Sequence, residues 1–206
     1  MPTLTLIYFD VDGGRGEPAR LALRLAGLPF EDRRVAFKDW PAMKSSTPFG
    51  GIPVLLVDGE AVSQSNTINR FVGRLAGLYP EDPWQAARCD EVMDATENVG
   101  AKMIATMSIQ DPVAQRRARE TLVKTALEPF LKQLAARLEE GAGEYFVEDR
   151  LTMADLRVFM LTRALLRGVM EHVPRDLAAR VAPALVAHHE HVAATPGIAA
   201  YYASRG

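Results

Sequence analysis

The chain predicts a small α/β domain joined to an all-α domain. Three observations carry that expectation. Strand and helix patterns alternate over residues 1–78, two prolines fall within four residues at Pro80 and Pro83, and the rest reads as helix after helix. Leu4-Thr5-Leu6-Ile7-Tyr8-Phe9 is a short apolar strand. A helix over 16–26 follows, with Pro18 in its first turn and Gly27 as its stop. Phe30 to Ala36 reads as a second strand whose charged centre, Glu31-Asp32-Arg33-Arg34, suits an edge. Residues 37–51 read as irregular or short helical turns. Ile52 to Val57, the pair Asp58-Gly59 and Glu60 to Ser63 form a hairpin pattern with a tight two-residue turn. Ser65 can cap the next helix, in which Ile68, Phe71, Val72 and Leu75 recur at helical spacing.

Residues 79–84 form the linker, and residues 85–206 the helical domain. One long helix is expected over 85–109 and another over 112–139, with Leu127, Leu131, Leu134 and Leu138 along one face. Shorter helices are expected near 153–167, 175–192 with a break at Pro183, and 196–203. Thr152 and Asp155 read as a helix N-cap and its reciprocal acid, with Leu151 and Leu156 as the flanking hydrophobic pair.

Composition bounds the function. At 48% hydrophobic and 24% charged, with a net charge of -2, the chain is ordinary for a soluble globular protein and offers no bulk charge for nucleic acid. No apolar run is long enough to span a membrane. The N-terminus lacks the features of a secretory signal. The single cysteine, Cys89, cannot form an intrachain disulfide. A cytoplasmic location is the expectation.

Chemistry gathers around Tyr8. A phenol at a strand end, followed by Arg15 in the loop Gly13-Gly14-Arg15-Gly16, can hold and stabilise a small anion. That loop has neither of the glycine spacings of phosphate-binding loops. Pro53 opens a strand, and Gln64-Ser65 opens a helix whose N-terminus favours a carboxylate. His188, His189 and His191 lack a third ligand on one face and read as a solvated helix end, so no metal is expected.

In this order and spacing the segments resemble the cytosolic glutathione transferases, most closely their sigma class. Tyr8 through Arg20 is similar to that family's tyrosine followed by Gly-Arg-Gly-Glu-Pro-x-Arg. Pro48-Phe49-Gly50-Gly51-Ile52-Pro53-Val54-Leu55 resembles its Pro-Phe-Gly-Gln-x-Pro-Val-Leu, and Asp149 to Leu156 its helical-domain capping motif. The resemblance covers nearly the whole chain. It implies a thioredoxin-like N-terminal domain, a homodimer, and glutathione as co-substrate. Tyr8 and Arg15 would be catalytic. Trp40 and Lys44 would hold the glycine carboxylate, Ile52 before a cis-Pro53 would pair with the cysteinyl backbone, and Gln64 and Ser65 would bind the γ-glutamyl end. Gly51 departs from the family's Gln and loses one side-chain contact. Glu97 or Asp94 would supply the acid that reaches the partner's γ-glutamyl ammonium.

The resemblance also implies a second-substrate site for a small hydrophobic electrophile. It would lie between Gly14, Met103, Met107, Arg157, Met160 and Leu161. Methionines suit an adaptable apolar wall, though Met103 and Met107 at one turn's spacing equally suit core packing. The implied activity is conjugation of the glutathione thiolate to hydrophobic electrophiles, a detoxification chemistry. The alternatives are a glutathione-dependent isomerase of the prostaglandin D synthase type and a non-catalytic binding or structural relative.

Overall fold

The computed structural model describes residues 1–141 and 143–205. A four-stranded sheet organises the N-terminal part, in the order β2-β1-β3-β4. β1 (Leu4–Phe9) and β2 (Glu31–Val35) run parallel, linked through α1 (Glu17–Leu25). β3 (Val54–Val57) lies antiparallel to β1 and to β4 (Glu60–Ser63). Asp58 and Gly59 both take positive φ, 51° and 88°, as a tight hairpin turn of this hand requires. Strand alternation sorts the two faces. Leu4, Leu6 and Leu55 join the main core under α1 and α3 (Ser65–Leu75). Ile7, Val35 and Val54 face a smaller cluster with Trp40 and Met43 of α2 (Trp40–Met43).

The charged centre of β2 is half explained by its edge position. Glu31 and Arg33 are exposed, whereas Asp32 and Arg34 turn inward. There Asp32 accepts from Arg20 Nε at 2.9 Å, and Arg34 donates to Tyr201 at 3.0 Å.

α4 (Pro83–Ala105) opens the helical part, capped by Asp82, whose carboxylate accepts from the Trp84 and Gln85 N–H groups. The helix expected over 112–139 runs without a break but changes pitch in its middle. α5 (Pro112–Leu122) passes through a wide π turn at Val123–Leu127 into α6 (Glu128–Glu139). Pro129 gives the reason: it lacks an N–H to continue the ladder and its ring crowds the preceding turn. α7 (Met153–Arg167) runs through the centre and packs against α4, α9 (Pro183–Ala193) and α1. α8 (Leu177–Val181) precedes α9, and α10 (Pro196–Ala203) returns to α1. One core joins both parts, with Leu6, Leu23 and Val72 in the same cluster as Val99, Met153 and Leu161.

The cap of α7 is as the sequence suggests, and it also recruits a histidine. Asp155 Oδ2 accepts from the Thr152 N–H at 2.7 Å, and Oδ1 accepts from the Phe146 N–H at 3.0 Å. His188 Nε2 lies 3.0 Å from the same Oδ1. His188 is therefore fully buried, not part of a solvated helix end; the helix face that carries it is packed against α7. Among the described residues no helix is long and apolar enough to cross a membrane.

Candidate active site

Three strand ends converge at one edge of the sheet. Ile7 pairs with Val54, and Val54 with Ser63. Continued by one residue, that register sets Tyr8 across from the Ile52–Pro53 bond, which is cis. The same step brings Gln64 and the start of α3 alongside. Gln64 sits at φ 71°, a conformation a non-glycine residue adopts only when its surroundings hold it there.

Tyr8 is 7% exposed and enclosed by its own loop. A Cβ on Gly14 would lie 2.5 Å from the Tyr8 hydroxyl, and one on Gly16 would collide with the ring. Only glycines let the loop wrap this closely. The loop presents the Arg15 N–H, which donates to Tyr8 Oη at 2.9 Å. Burial pushes the Tyr8 pKa above that of an ordinary phenol, against the lowering influence of that hydrogen bond and of Arg15, Arg157 and Arg20. Tyr8 thus stays protonated at neutral pH. Its oxygen already accepts from the loop, so its own proton is available to a ligand.

Beside Tyr8 lies a charged cluster drawn from four elements. Arg15 Nη2 is 2.5 Å from Glu97 Oε1. Arg157 Nη2 is 2.9 Å from Glu97 Oε2, to which the Ser65 hydroxyl also donates at 3.3 Å. Glu97 thus engages three side chains of its own chain. Asp94, one turn earlier, accepts from Asn66 Nδ2 at 2.6 Å and from Arg70 Nη2 at 2.9 Å. The resemblance implies that one of these acids reaches a partner subunit; in this chain both carboxylates have intrachain partners.

The remaining predicted residues are placed as follows. Trp40 packs edge-on against Phe9, with ring centroids 5.8 Å apart, in the small cluster that includes Ile52. Lys44 is exposed and follows α2 directly. Gly51 is extended, at φ −144° and ψ 158°. Of the predicted electrophile wall, Gly14 and Arg157 stand at Tyr8 and at Glu97, and Met107 is about half exposed. Met103, Met160 and Leu161 are buried in the core cluster. Two open surface concavities, one bounded by Pro112, Arg116 and His172 and one by Val57, Glu60 and Phe71, lie away from Tyr8. The site is defined by its convergent donors. No group of three or more His, Cys, Asp or Glu gathers to hold a metal among the described residues.

Sequence reasoning missed the bridge that Glu97 makes between Arg15 and Arg157. These residues are far apart along the chain, and no local pattern links them.

Comparison with known proteins identifies this arrangement. Residues 4–74 match the glutathione S-transferase N-terminal domain, and residues 98–205 match the glutathione S-transferase C-terminal domain. Glutathione S-transferase 1 of Ascaris suum is 36% identical over 76% of this chain and 77% of its own length. Hematopoietic prostaglandin D synthase of Gallus gallus is 31% identical over 100% of this chain and 98% of its own. A solved structure of prostaglandin synthase D from Nilaparvata lugens superposes with a TM-score of 0.89 at 27% identity, covering 100% of this chain and 99% of that one. With both domains matched in order and relatives of this identity spanning most of its length, the chain belongs to the glutathione S-transferase family.

Proposed function

We propose that this protein is a sigma-like, homodimeric glutathione transferase of the cytoplasm, in which Tyr8 activates the glutathione thiol for attack on hydrophobic electrophiles. The observation that carries the reading is the Tyr8 hydroxyl: buried, protonated, and accepting from the Arg15 N–H so that its proton is free for sulfur. A free thiol has a pKa of about 8.5, so little thiolate exists at neutral pH. A hydrogen bond to sulfur favours the anion and lowers that pKa. Trp40 and Lys44 would take the glycine carboxylate, the Ile52 backbone the cysteinyl part, and Gln64 and Ser65 the γ-glutamyl end. Gly14, Arg157 and Met107 would border the electrophile, with Met103, Met160 and Leu161 backing it from the core. Conjugation of glutathione to chlorodinitrobenzene tests the reading. Glutathione-dependent product formation is expected, and no product at saturating glutathione would remove it. A second reading is favoured by the full-length likeness to the chicken synthase: the thiolate attacks an endoperoxide oxygen and leaves after rearrangement. Turnover of an endoperoxide without net consumption of glutathione would select it.

Gly51 offers a direct probe of glutathione recognition. Its φ is negative and no atom lies within 4 Å of an added Cβ, so a side chain fits without strain. Gly51→Gln restores one amide contact and is expected to tighten glutathione binding by about 1–2 kcal/mol, up to roughly thirtyfold, with a similar maximal rate. Calorimetric titration checks this. Equal or weaker binding would mean that the ligand backbone is held differently at Ile52.

The homodimer is supported by apolar surface that the single chain leaves outside its core. Phe49 is 89% exposed, and Trp84 is 67% exposed. Phe49 is also held at φ 55°, presented outward beside Gly50. A two-fold pairing would use each such contact twice. Sedimentation at micromolar concentration is expected to give a dimer, and a single monomeric species would sink the proposal.

A further inference from the structure

Charge is unbalanced around Tyr8. Arg157 is only 5% exposed, yet its one ionic partner among the described residues is Glu97, at 2.9 Å from Nη2. The other oxygen of Glu97 belongs to Arg15. Two guanidinium cations therefore share one carboxylate. The other charges facing them do not repair the deficit: Arg20 near Tyr8 is matched by its own carboxylates, Glu17 and Asp32, and Asp94, which favours the Arg157 cation from a distance, is hydrogen-bonded to Asn66 and Arg70. Tyr8 is a neutral phenol. Arg157 Nε is buried with no hydrogen-bond partner. Burying a cation that is not fully matched is unfavourable, which gives the cluster a standing preference for one more anion.

We propose that Arg157 is a second positive charge for the glutathione thiolate, held in place by the Glu97 carboxylate that it shares with Arg15. The proposal rests on the glutathione reading above. One thiolate balances the cluster: two arginines against Glu97 and sulfur. Because Glu97 is divided, it neutralises neither arginine, and positive potential persists at the Tyr8 hydroxyl. The influence of Arg157 reaches that hydroxyl, since its charge favours the anionic form there. Burial lowers the pKa of Arg157 itself, with Glu97 opposing, which is the signature of a desolvated cation whose field is poorly screened. Arg157 is a positioning residue in this scheme. It acts through Glu97 and through its field, without touching sulfur.

A purely structural Arg157 would only tie α7 to α4, and charge-conserving substitution separates the two roles. The experiment is an ultraviolet titration of the thiolate in the glutathione complex of four proteins: wild type, Arg157→Met, Arg157→Lys and Glu97→Gln. The pH profile of kcat/KM is measured beside it. Arg157→Met is expected to raise the apparent pKa of the bound thiol by about one unit, the size of one nearby opposite charge lost. Arg157→Lys is expected to stay close to wild type. Glu97→Gln, which leaves both cations uncompensated, is expected to move it down. Coincident titration of wild type and Arg157→Met, or an upward shift in Glu97→Gln, overturns the proposal. If Arg157→Met does not fold, the direction of the Glu97→Gln shift decides alone. A wild-type protein with no thiolate absorbance at saturating glutathione removes the glutathione reading, and the proposal with it.

Discussion

Tyr8→Phe is expected to lower the conjugation rate at neutral pH by roughly a hundred- to a thousand-fold, the range seen when one donor to a developing anion is removed. The ring should stay where it is. Gly14 and Gly16 enclose it, and Phe9 meets it edge-on at 5.5 Å, contacts that need no hydroxyl. What disappears is the hydroxyl proton proposed to meet sulfur and the acceptor of the Arg15 N–H. Glutathione affinity is expected to change little, because the contacts proposed for the peptide lie elsewhere. The pH dependence gives the mechanistic test. If Tyr8 acts as proposed, the bound thiol of the wild type is expected to be ionised at neutral pH. In Tyr8→Phe its pKa moves toward the free value of about 8.5. The deficit should therefore shrink as pH rises through that value and the thiol ionises unaided. A deficit constant from pH 6.5 to 9.5 would mean that Tyr8 orients the substrate without ionising it. Unchanged activity in a folded variant would remove Tyr8 from the chemistry.

The sequence reveals most where one residue type answers to one local demand. The Asp-Gly turn, Pro183 opening α9 after the break from α8, and the Thr152–Asp155 cap each follow from backbone chemistry within a few residues, and each is found in place. The π turn before Pro129 was legible in principle, because a proline inside a helical pattern disturbs the preceding turn, but leucine periodicity across 127–138 masked it. Long-range partners are a different matter. The resemblance leaves Glu97 and Asp94 as alternatives for an acid that reaches the partner's site, and the sharing of Glu97 by Arg15 and Arg157 depends on how α4, α7 and the loop after β1 meet. His188 looked solvated because its polar neighbours, His189, Glu190 and His191, say nothing of Asp155 on another helix. Met103, Met160 and Leu161 are buried in the core cluster of the single chain, which helical spacing also allowed for Met103.

The same dependence on long-range partners hides a buried ion cluster directly after the loop that encloses Tyr8, and its removal should have the largest effect on stability. Arg20 and Glu17 are both 0% exposed and paired with each other on α1. Arg20 also binds Asp32 at 2.9 Å, while Glu17 accepts from the Tyr202 hydroxyl of α10 at 3.3 Å. Burial pushes the Glu17 carboxyl above its usual range, and Arg20 opposes the shift. Arg20→Met removes that opposition and leaves a buried carboxylate without a cation, a loss of about 3–5 kcal/mol at neutral pH. The sign of the pH effect follows. A carboxyl whose folded pKa is raised contributes stability in its protonated form, fully present below the unfolded pKa and lost as pH rises through the folded pKa. In Arg20→Met that folded pKa rises further, so the deficit relative to wild type should be small near pH 4.5 and full near pH 7.5. Adding Glu17→Gln should recover much of the loss, since two neutral groups leave no charge unpaired, and Asp32 keeps Arg34 at 3.0 Å. Denaturant unfolding of the single and double variants at both pH values checks the cycle. An equal deficit at both pH values, or no recovery in the double variant, would show that Arg20 stabilises the domain junction by packing and not by charge.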